Sequence, residues 1–371
     1  MTAEIANGVP FPLTRAVIRR IAVFRALFLG DLLCAVPALR ALRRHFPLAE
    51  ITLIGLPWAA DLARRLSYID QVLPFPGYPG ITEVDYQAAQ TQAFLQAARA
   101  NPYDLAIQMH GNGTNSNGFV ADLGARMSLG YRQGNDRRLT VSRPYRPAEH
   151  EIGRWLRLVR AVGVPADDPR TEFPTSHSEA DHALELLRPL LDRPGPLIGL
   201  HAGGKDPARR WPPERFAQLA DALVAQTGAR IVLTGGPGER AITAAVRQAM
   251  HASALDLAGQ TDLGSFAEVI ARLDLLITND TGASHLAAAR GTRSVVLFGP
   301  SRPERWAPPD RARHRVIDAL ALAGSAIDPR TALRRLPVGP VLAAGREMLR
   351  RDQAGEAGST AQEVACGDER F

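Results

Sequence analysis

"LDLLITNDTGASHLAAARG", residues 273 to 291, is the stretch whose reading decides the fold. An apolar run ends at Thr278, a short polar loop follows, and an Ala-rich segment closed by Gly291 comes next. That is the pattern of a buried strand, a loop and a helix ended by glycine. The letters Asp280-Thr281-Gly282 also spell the catalytic loop of a retroviral-type aspartic protease. That chemistry needs two carboxylates sharing one proton, and the chain has no second Asp-Thr/Ser-Gly. Single-copy proteases of this kind are also much shorter, and they set the motif in an all-β frame rather than before a helix. The loop is therefore read as the exit of a strand, where backbone N–H groups around Thr281–Ala283 could hold an anion. His285, on the first helical turn, either adds a donor to that site or is structural.

The same unit recurs along the chain. Strand-like runs lie at 21–28, 50–55, 70–75 and 103–109, and again at 196–201, 230–236, 255–259, 274–278 and 294–299. Helical patterns lie between them, for example Pro213–Gln226 and Glu239–Met250. Apolar strands alternating with helices give βαβ units and parallel sheets covered on both faces. The fold class is α/β, with two Rossmann-like doubly wound domains. The boundaries read as 1–175 for the first domain and 176–351 for the second, which ends in a terminal helix. Residues 352–371 read as a disordered tail. The segment 150–195 is helical and bridges the halves, and "DRPGP" (192–196) reads as a break before the second series.

Ligands of parallel sheets bind beyond the carboxyl ends of the strands, and three further strand-end motifs stand there. "FLGDLLCAVPALRALRRHFP" (28–47) places Asp31 directly after the first strand. Asp31 either caps the following helix or serves as a general base toward a substrate hydroxyl. Pro37 marks a first helical turn or a kink. No Gly-x-Gly-x-x-Gly follows the strand, so the dinucleotide fingerprint is missing. "HAGGKDPARRWPPERF" (201–216) sets Lys205, Arg209 and Arg210 in a glycine-containing loop ahead of a helix. Such a loop suits a diphosphate, or is a solvated basic loop; the Trp-Pro-Pro start favours packing. "LTGGPGER" (233–240) puts Glu239 at a helix start, where it serves the helix dipole or a ribose hydroxyl pair.

Taken in order, these motifs resemble glycosyltransferase family 9, the heptosyltransferases of bacterial lipopolysaccharide assembly. The resemblance rests on "GDLLCAVPALRAL", "KDPARRWPPERFAQLA", "GGPGER" and "NDTGASHLAAARGTRSVVLFGP", and covers roughly residues 20–310. It implies a GT-B fold, two Rossmann-like domains facing across a cleft. It implies an inverting, metal-independent transfer of a sugar, heptose in the known members, from ADP-heptose to a lipopolysaccharide-core or similar glycan. The nucleotide sugar is then a substrate, and no cofactor or metal is expected. By motif, Asp31 is the general base, and Arg209 stands where the family has the lysine that neutralises the diphosphate. Asp280, Thr281, Gly282 and His285 fall in the donor-phosphate loop and Glu239 near the ribose. The loop "HAGGKD" departs from the family pattern, which brings Lys205 into consideration. "QMHGNGTNSNG" (108–118) lines the acceptor side or is a flexible loop. A GT-B epimerase or hydrolase of sugar nucleotides, or a non-catalytic nucleotide-sugar binder, would use the same cradle.

Composition agrees with a soluble, anion-binding protein. The chain has 371 residues, 46% hydrophobic and 22% charged, with a net charge of +6. Of 44 basic residues only Lys205 is lysine. No apolar run reaches the ~20 residues of a membrane span, and no secretory leader is seen at the start. Cys34 and Cys366 are too few and too far apart for a disulfide scaffold or a cysteine metal site. No zinc finger, RNP motif or basic repeat points to nucleic acid. The expected location is the cytoplasm, with a peripheral place at the inner membrane. Arg15, Arg19, Arg20, Arg40, Arg43 and Arg44 form either a surface for an anionic lipid acceptor or a solvated face.

Overall fold

A computed structural model describes residues 18–324 and 327–350. The sequence reading of 352–371 as a tail, and the position of Arg15, lie outside the described residues. The chain forms two compact units that divide between Pro174 and Thr175.

The first unit holds six parallel strands: β1 (Arg20–Phe24), β2 (Glu50–Gly55), β3 (Gln71–Pro74), β4 (Leu105–Gln108), β5 (Met127–Arg132) and β6 (Val141–Pro144). Their order across the sheet is β3-β2-β1-β4-β5-β6. Ile51–Gly55 and all of β4 are buried on both faces, which is why these strands read as unbroken apolar runs rather than alternating ones. The helix Leu29–His45 follows β1, with Phe28 at its N-cap and Pro37 inside it. It packs on the helix Glu151–Arg160.

The second unit repeats the plan with β7 (Leu197–His201), β8 (Arg230–Leu233), β9 (Ala254–Asp256), β10 (Leu275–Asn279), β11 (Ser294–Phe298) and β12 (His314–Asp318). The order is β12-β11-β10-β7-β8-β9. Counted from the first strand of each unit, both sheets run 3-2-1-4-5-6, the doubly wound order of dinucleotide-binding folds. The helix His177–Leu191 belongs to this unit and opens with a capping box, Ser176 and Glu179 each bonding the other's backbone N–H. The turn Asp192–Pro196 joins that helix to β7 within the unit. The larger core lies on one face of the sheet, with Trp211, Phe216, Leu219, Ile231, Ile277 and Val295 among its fully buried members, and Val296 and Phe298 pack on the other face.

Doubly wound sheets have one point where the strand order reverses, and the crevice at that point takes the ligand. In the first unit it lies between β1 and β4, in the second between β7 and β10.

Candidate active site

At the switch point of the second unit three loops meet. The exit of β7, Ala202–Gly204, is tied to the exit of β10 by Asn279. Its Nδ2 donates to the carbonyls of Ala202 at 3.0 Å and Gly203 at 2.9 Å. Its Oδ1 accepts the backbone N–H of Trp211 at 3.1 Å. The Trp211 ring is fully buried and donates through Nε1 to the Leu336 carbonyl at 2.9 Å. Both ends of the cation-bearing loop are therefore fixed.

Glu239 ties in the third loop, the exit of β8. Its Oε1 accepts the Gly204 N–H at 2.7 Å and its Oε2 the Gly236 N–H at 2.8 Å. Gly203 makes this approach possible, because a Cβ there would stand 2.0 Å from Glu239 Oε1. His201, buried at the end of β7, shares a 3.1 Å hydrogen bond with Thr234 and lies 3.8 Å from Glu239. Burial holds its pKa below the ordinary histidine value, against the pull of Glu239. Glu239 is thus a clamp between loops; each carboxylate oxygen keeps a second lone pair for a ligand hydroxyl.

The three cations part company. Arg210 turns back on its own loop, donating from Nε to the Gly204 carbonyl at 2.6 Å. Lys205 is exposed. Arg209, its side chain 42% exposed, reaches across to Asp280, with Nη1 3.6 Å from Oδ2. Asp280 is buried, and its Oδ2 makes no hydrogen bond among the described residues. The buried Asp280 carboxylate thus holds the partly exposed Arg209 guanidinium over the loop.

Thr281 is the N-cap of the helix Gly282–Arg290, its Oγ1 accepting the Ala283 N–H at 3.3 Å. The sequence reading offered that amide to an anion, and the structure spends it on the cap. Gly282 opens the helix, and its first-turn amides carry the positive end of the dipole. His285 is buried, edge-on to Trp306 at 6.4 Å between ring centres. The structure thus brings Arg209, Arg210, Glu239, Asp280, Thr281 and Gly282 to the loops of one switch point.

The first unit shows its own cluster. Asp31 stands in the first turn of the helix Leu29–His45 rather than at its N-cap. Arg25, at the exit of β1, donates from Nε to the Asp31 carbonyl at 2.7 Å. Its Nη2 is 3.9 Å from Asp31 Oδ1. His110, at the exit of β4, stacks on Phe24 at 4.9 Å and accepts the Ala26 N–H on Nδ1 at 3.3 Å. Burial, with Arg25 nearby, lowers its pKa to about 3. A neutral ring that accepts on Nδ1 carries its proton on Nε2, which lies 3.7 Å from Glu83 Oε2. The Gly/Asn-rich loop is built, not slack: Asn117 Nδ2 donates to the Tyr131 carbonyl at 2.9 Å and to Asp136 at 2.8 Å.

Among the described residues no group of three or more His, Cys, Asp or Glu side chains is placed to hold a metal. A family model described as glycosyltransferase family 9 (heptosyltransferase) matches residues 91–321. The chain belongs to glycosyltransferase family 9. Lipopolysaccharide heptosyltransferase 2 of Salmonella typhimurium is 28% identical over 316 residues, which cover 80% of this chain and 87% of that one. The solved family 9 glycosyltransferase of Veillonella parvula superposes with a TM-score of 0.74 at 24% identity, covering 90% of this chain and 97% of that one. The E. coli ADP-heptose lps heptosyltransferase II structure gives a TM-score of 0.70 at 22% identity, covering 91% and 100%. This family 9 protein is a glycosyltransferase, and its two Rossmann-like units are those of the GT-B fold.

The sequence reading missed Asn279, His201, Arg25 and His110 as parts of these sites. Asn279 was legible in principle, since a buried Asn at a strand end has to satisfy both ends of its amide. Arg25 and His110 carried no spacing signal, because only the sheet order brings the ends of β1 and β4 side by side.

Proposed function

We propose that this protein transfers heptose from ADP-heptose to a lipopolysaccharide-core or similar glycan acceptor, with inversion and without a metal. The observation that carries the reading is the second unit's braced loop, with Arg209 aimed by Asp280 beside the helix that starts at Gly282. When the bond from the anomeric carbon to the diphosphate breaks, negative charge grows on the leaving ADP. Fixed cations and first-turn amides stabilise that charge without reorganising. Arg209, held by Asp280, is such a cation, and exposed Lys205 is a second positive charge in the same loop, so the reading needs no metal. The names of the relatives supply the sugar and acceptor class. Asp31 takes the proton of the acceptor hydroxyl, whose oxygen then bonds to the anomeric carbon on the side away from ADP, and one carboxylate suffices for such an inversion.

A cytoplasmic position with peripheral contact at the inner membrane goes with this reading. No helix among the described residues is long and apolar enough to cross a membrane. Of the arginines considered for a lipid surface, Arg40 pairs with Glu172 at 2.7 Å and Asp168 at 3.2 Å, and Arg43 pairs with Asp70. Among the described residues of that set, Arg19 and Arg44 are exposed.

Asp31→Asn tests the proposal. It should lower turnover of ADP-heptose by about a hundredfold or more and leave the affinity for ADP unchanged. Unchanged turnover would remove Asp31 as the base and overturn the mechanism.

A further inference from the structure

Arg25 is the largest charge buried at the switch point of the first unit, 1% exposed. Its guanidinium lies over the ring of Trp155, 4.7 Å from the centroid. The sheet does not need a cation there: an apolar side chain would cover Trp155 without the cost of desolvating a charge. The fork is nonetheless arranged around one helix turn. Nε holds the Asp31 carbonyl at 2.7 Å, Nη1 holds the Met109 carbonyl, and the Arg25 backbone N–H holds the Ile54 carbonyl at 2.9 Å. The side chain therefore ties the exit of β4 to the turn that carries Asp31, while the backbone N–H, which any residue would supply, ties β2. The remaining nitrogen, Nη2, is buried, makes no hydrogen bond among the described residues and lies 3.9 Å from Asp31 Oδ1. An arginine buried with one nitrogen unbonded, facing the carboxylate whose carbonyl it already holds, is built for that carboxylate.

We propose that Arg25 is the positioning residue for Asp31, fixing the carboxylate where the acceptor hydroxyl is deprotonated. The inference rests on Asp31 being the base. A lysine has a single point of charge and cannot bridge two carbonyls as the planar fork does. A carboxylate displaced by about 1 Å loses on the order of a hundredfold in rate.

The test is a double-mutant cycle on the full chain, read as kcat and KM for ADP-heptose. Arg25→Lys should lower kcat about 10- to 100-fold with donor KM within about twofold, because the donor loops belong to the other unit. In an Asp31→Asn background the same change should cost less than about twofold, since residues acting as one unit are non-additive. Arg25→Met supplies the second arm: its lost kcat should return in part on adding guanidinium ion, which a merely misfolded enzyme would not show. Wild-type kcat in folded Arg25→Lys overturns the inference, and so does an equal loss in both backgrounds. Normal turnover by Asp31→Asn would instead overturn the reading of the base, whatever Arg25 does.

Discussion

Arg209 separates two uses of charge at the loops proposed to hold the donor. Arg210 is spent on the Gly204 carbonyl and Asp206 on its own turn and on Arg330 at 3.2 Å. Arg209 pairs with Asp280 and is partly exposed, so changing it leaves no cavity in the core. A hydrogen bond to a charged group contributes about 1.5–3 kcal/mol, or roughly tenfold to a hundredfold in affinity. Arg209→Met should therefore weaken ADP binding by that factor in calorimetric titration, and should lower the melting temperature of the unliganded protein by a few degrees, because buried Asp280 loses its cation. Arg209→Lys keeps the charge and loses the fork, and should fall between the two. Equal ADP affinity in Arg209→Met and the parent would show that the phosphates lie elsewhere.

At the scale of elements, the exits of β7 and β10 in the second unit are joined by a buried amide. Asn279→Ala would leave the Ala202 and Gly203 carbonyls and the Trp211 N–H buried without their partner. Each buried group so stranded costs about 1–3 kcal/mol, and water entering the space would recover part of it. A fall in melting temperature on the order of 10 °C is expected, together with weaker ADP binding, because the same amide sets the loop. Asn279→Asp is the sharper variant. It keeps an acceptor for Trp211 but points a carboxylate oxygen at two carbonyls, so it should be no more stable than Asn279→Ala. A stable Asn279→Asp protein would show that the loop is held some other way. The sequence made most of these elements legible: β2 coincides with "EITLIG", and the helix after β7 begins at Pro213 as its Pro-Pro start implies. It did not reveal β5, β6 or β12. β6 and β12 are edge strands, half exposed and polar on one side. β5 carries Gly130, where a Cβ would stand 2.6 Å from Leu139 and 2.8 Å from Gln108. Contacts of that kind come from the fold, and no periodicity announces them. The same holds for the site: Asp280 and Arg209 were visible as motifs, but that one aims the other depends on a distance across two loops.

At the scale of the whole molecule, each unit repeats the 3-2-1-4-5-6 order and its reversal point, and each holds a largely buried histidine at a strand exit. His110 and His201 stand at strand exits, while His314 starts β12, sharing a 2.9 Å hydrogen bond with Ser294. Burial pushes His314 down to about 4 and His110 to about 3, and lowers His201 as well. A histidine held neutral by folding has a definite sign in the stability balance. Above its ordinary value of 6.5 neither the folded nor the unfolded chain carries the proton, and its contribution is fully present. Below 6.5 the unfolded chain takes up a proton that the folded chain refuses, so stability falls with pH until the folded value is reached. The carboxylates held low, Asp136 at about 2 and Asp206 and Glu268 below their usual values, act with the same sign but only below about pH 4.5. Between pH 4.5 and 6.5 the loss of stability therefore belongs to the histidines, with a slope of about 1.4 kcal/mol per pH unit for each one. His314 is the one to change, because it is remote from both strand-exit clusters in the sheet order. His314→Asn keeps a polar group for Ser294 and removes the titration. Its urea unfolding free energy should fall less steeply between pH 6.5 and 4.5 than the parent's, by about one histidine's slope, while ADP binding at pH 7.5 stays the same. A slope equal to the parent's would mean that His314 takes up its proton in the folded chain as readily as in the unfolded one, and that the buried contact with Ser294 opens well above pH 4.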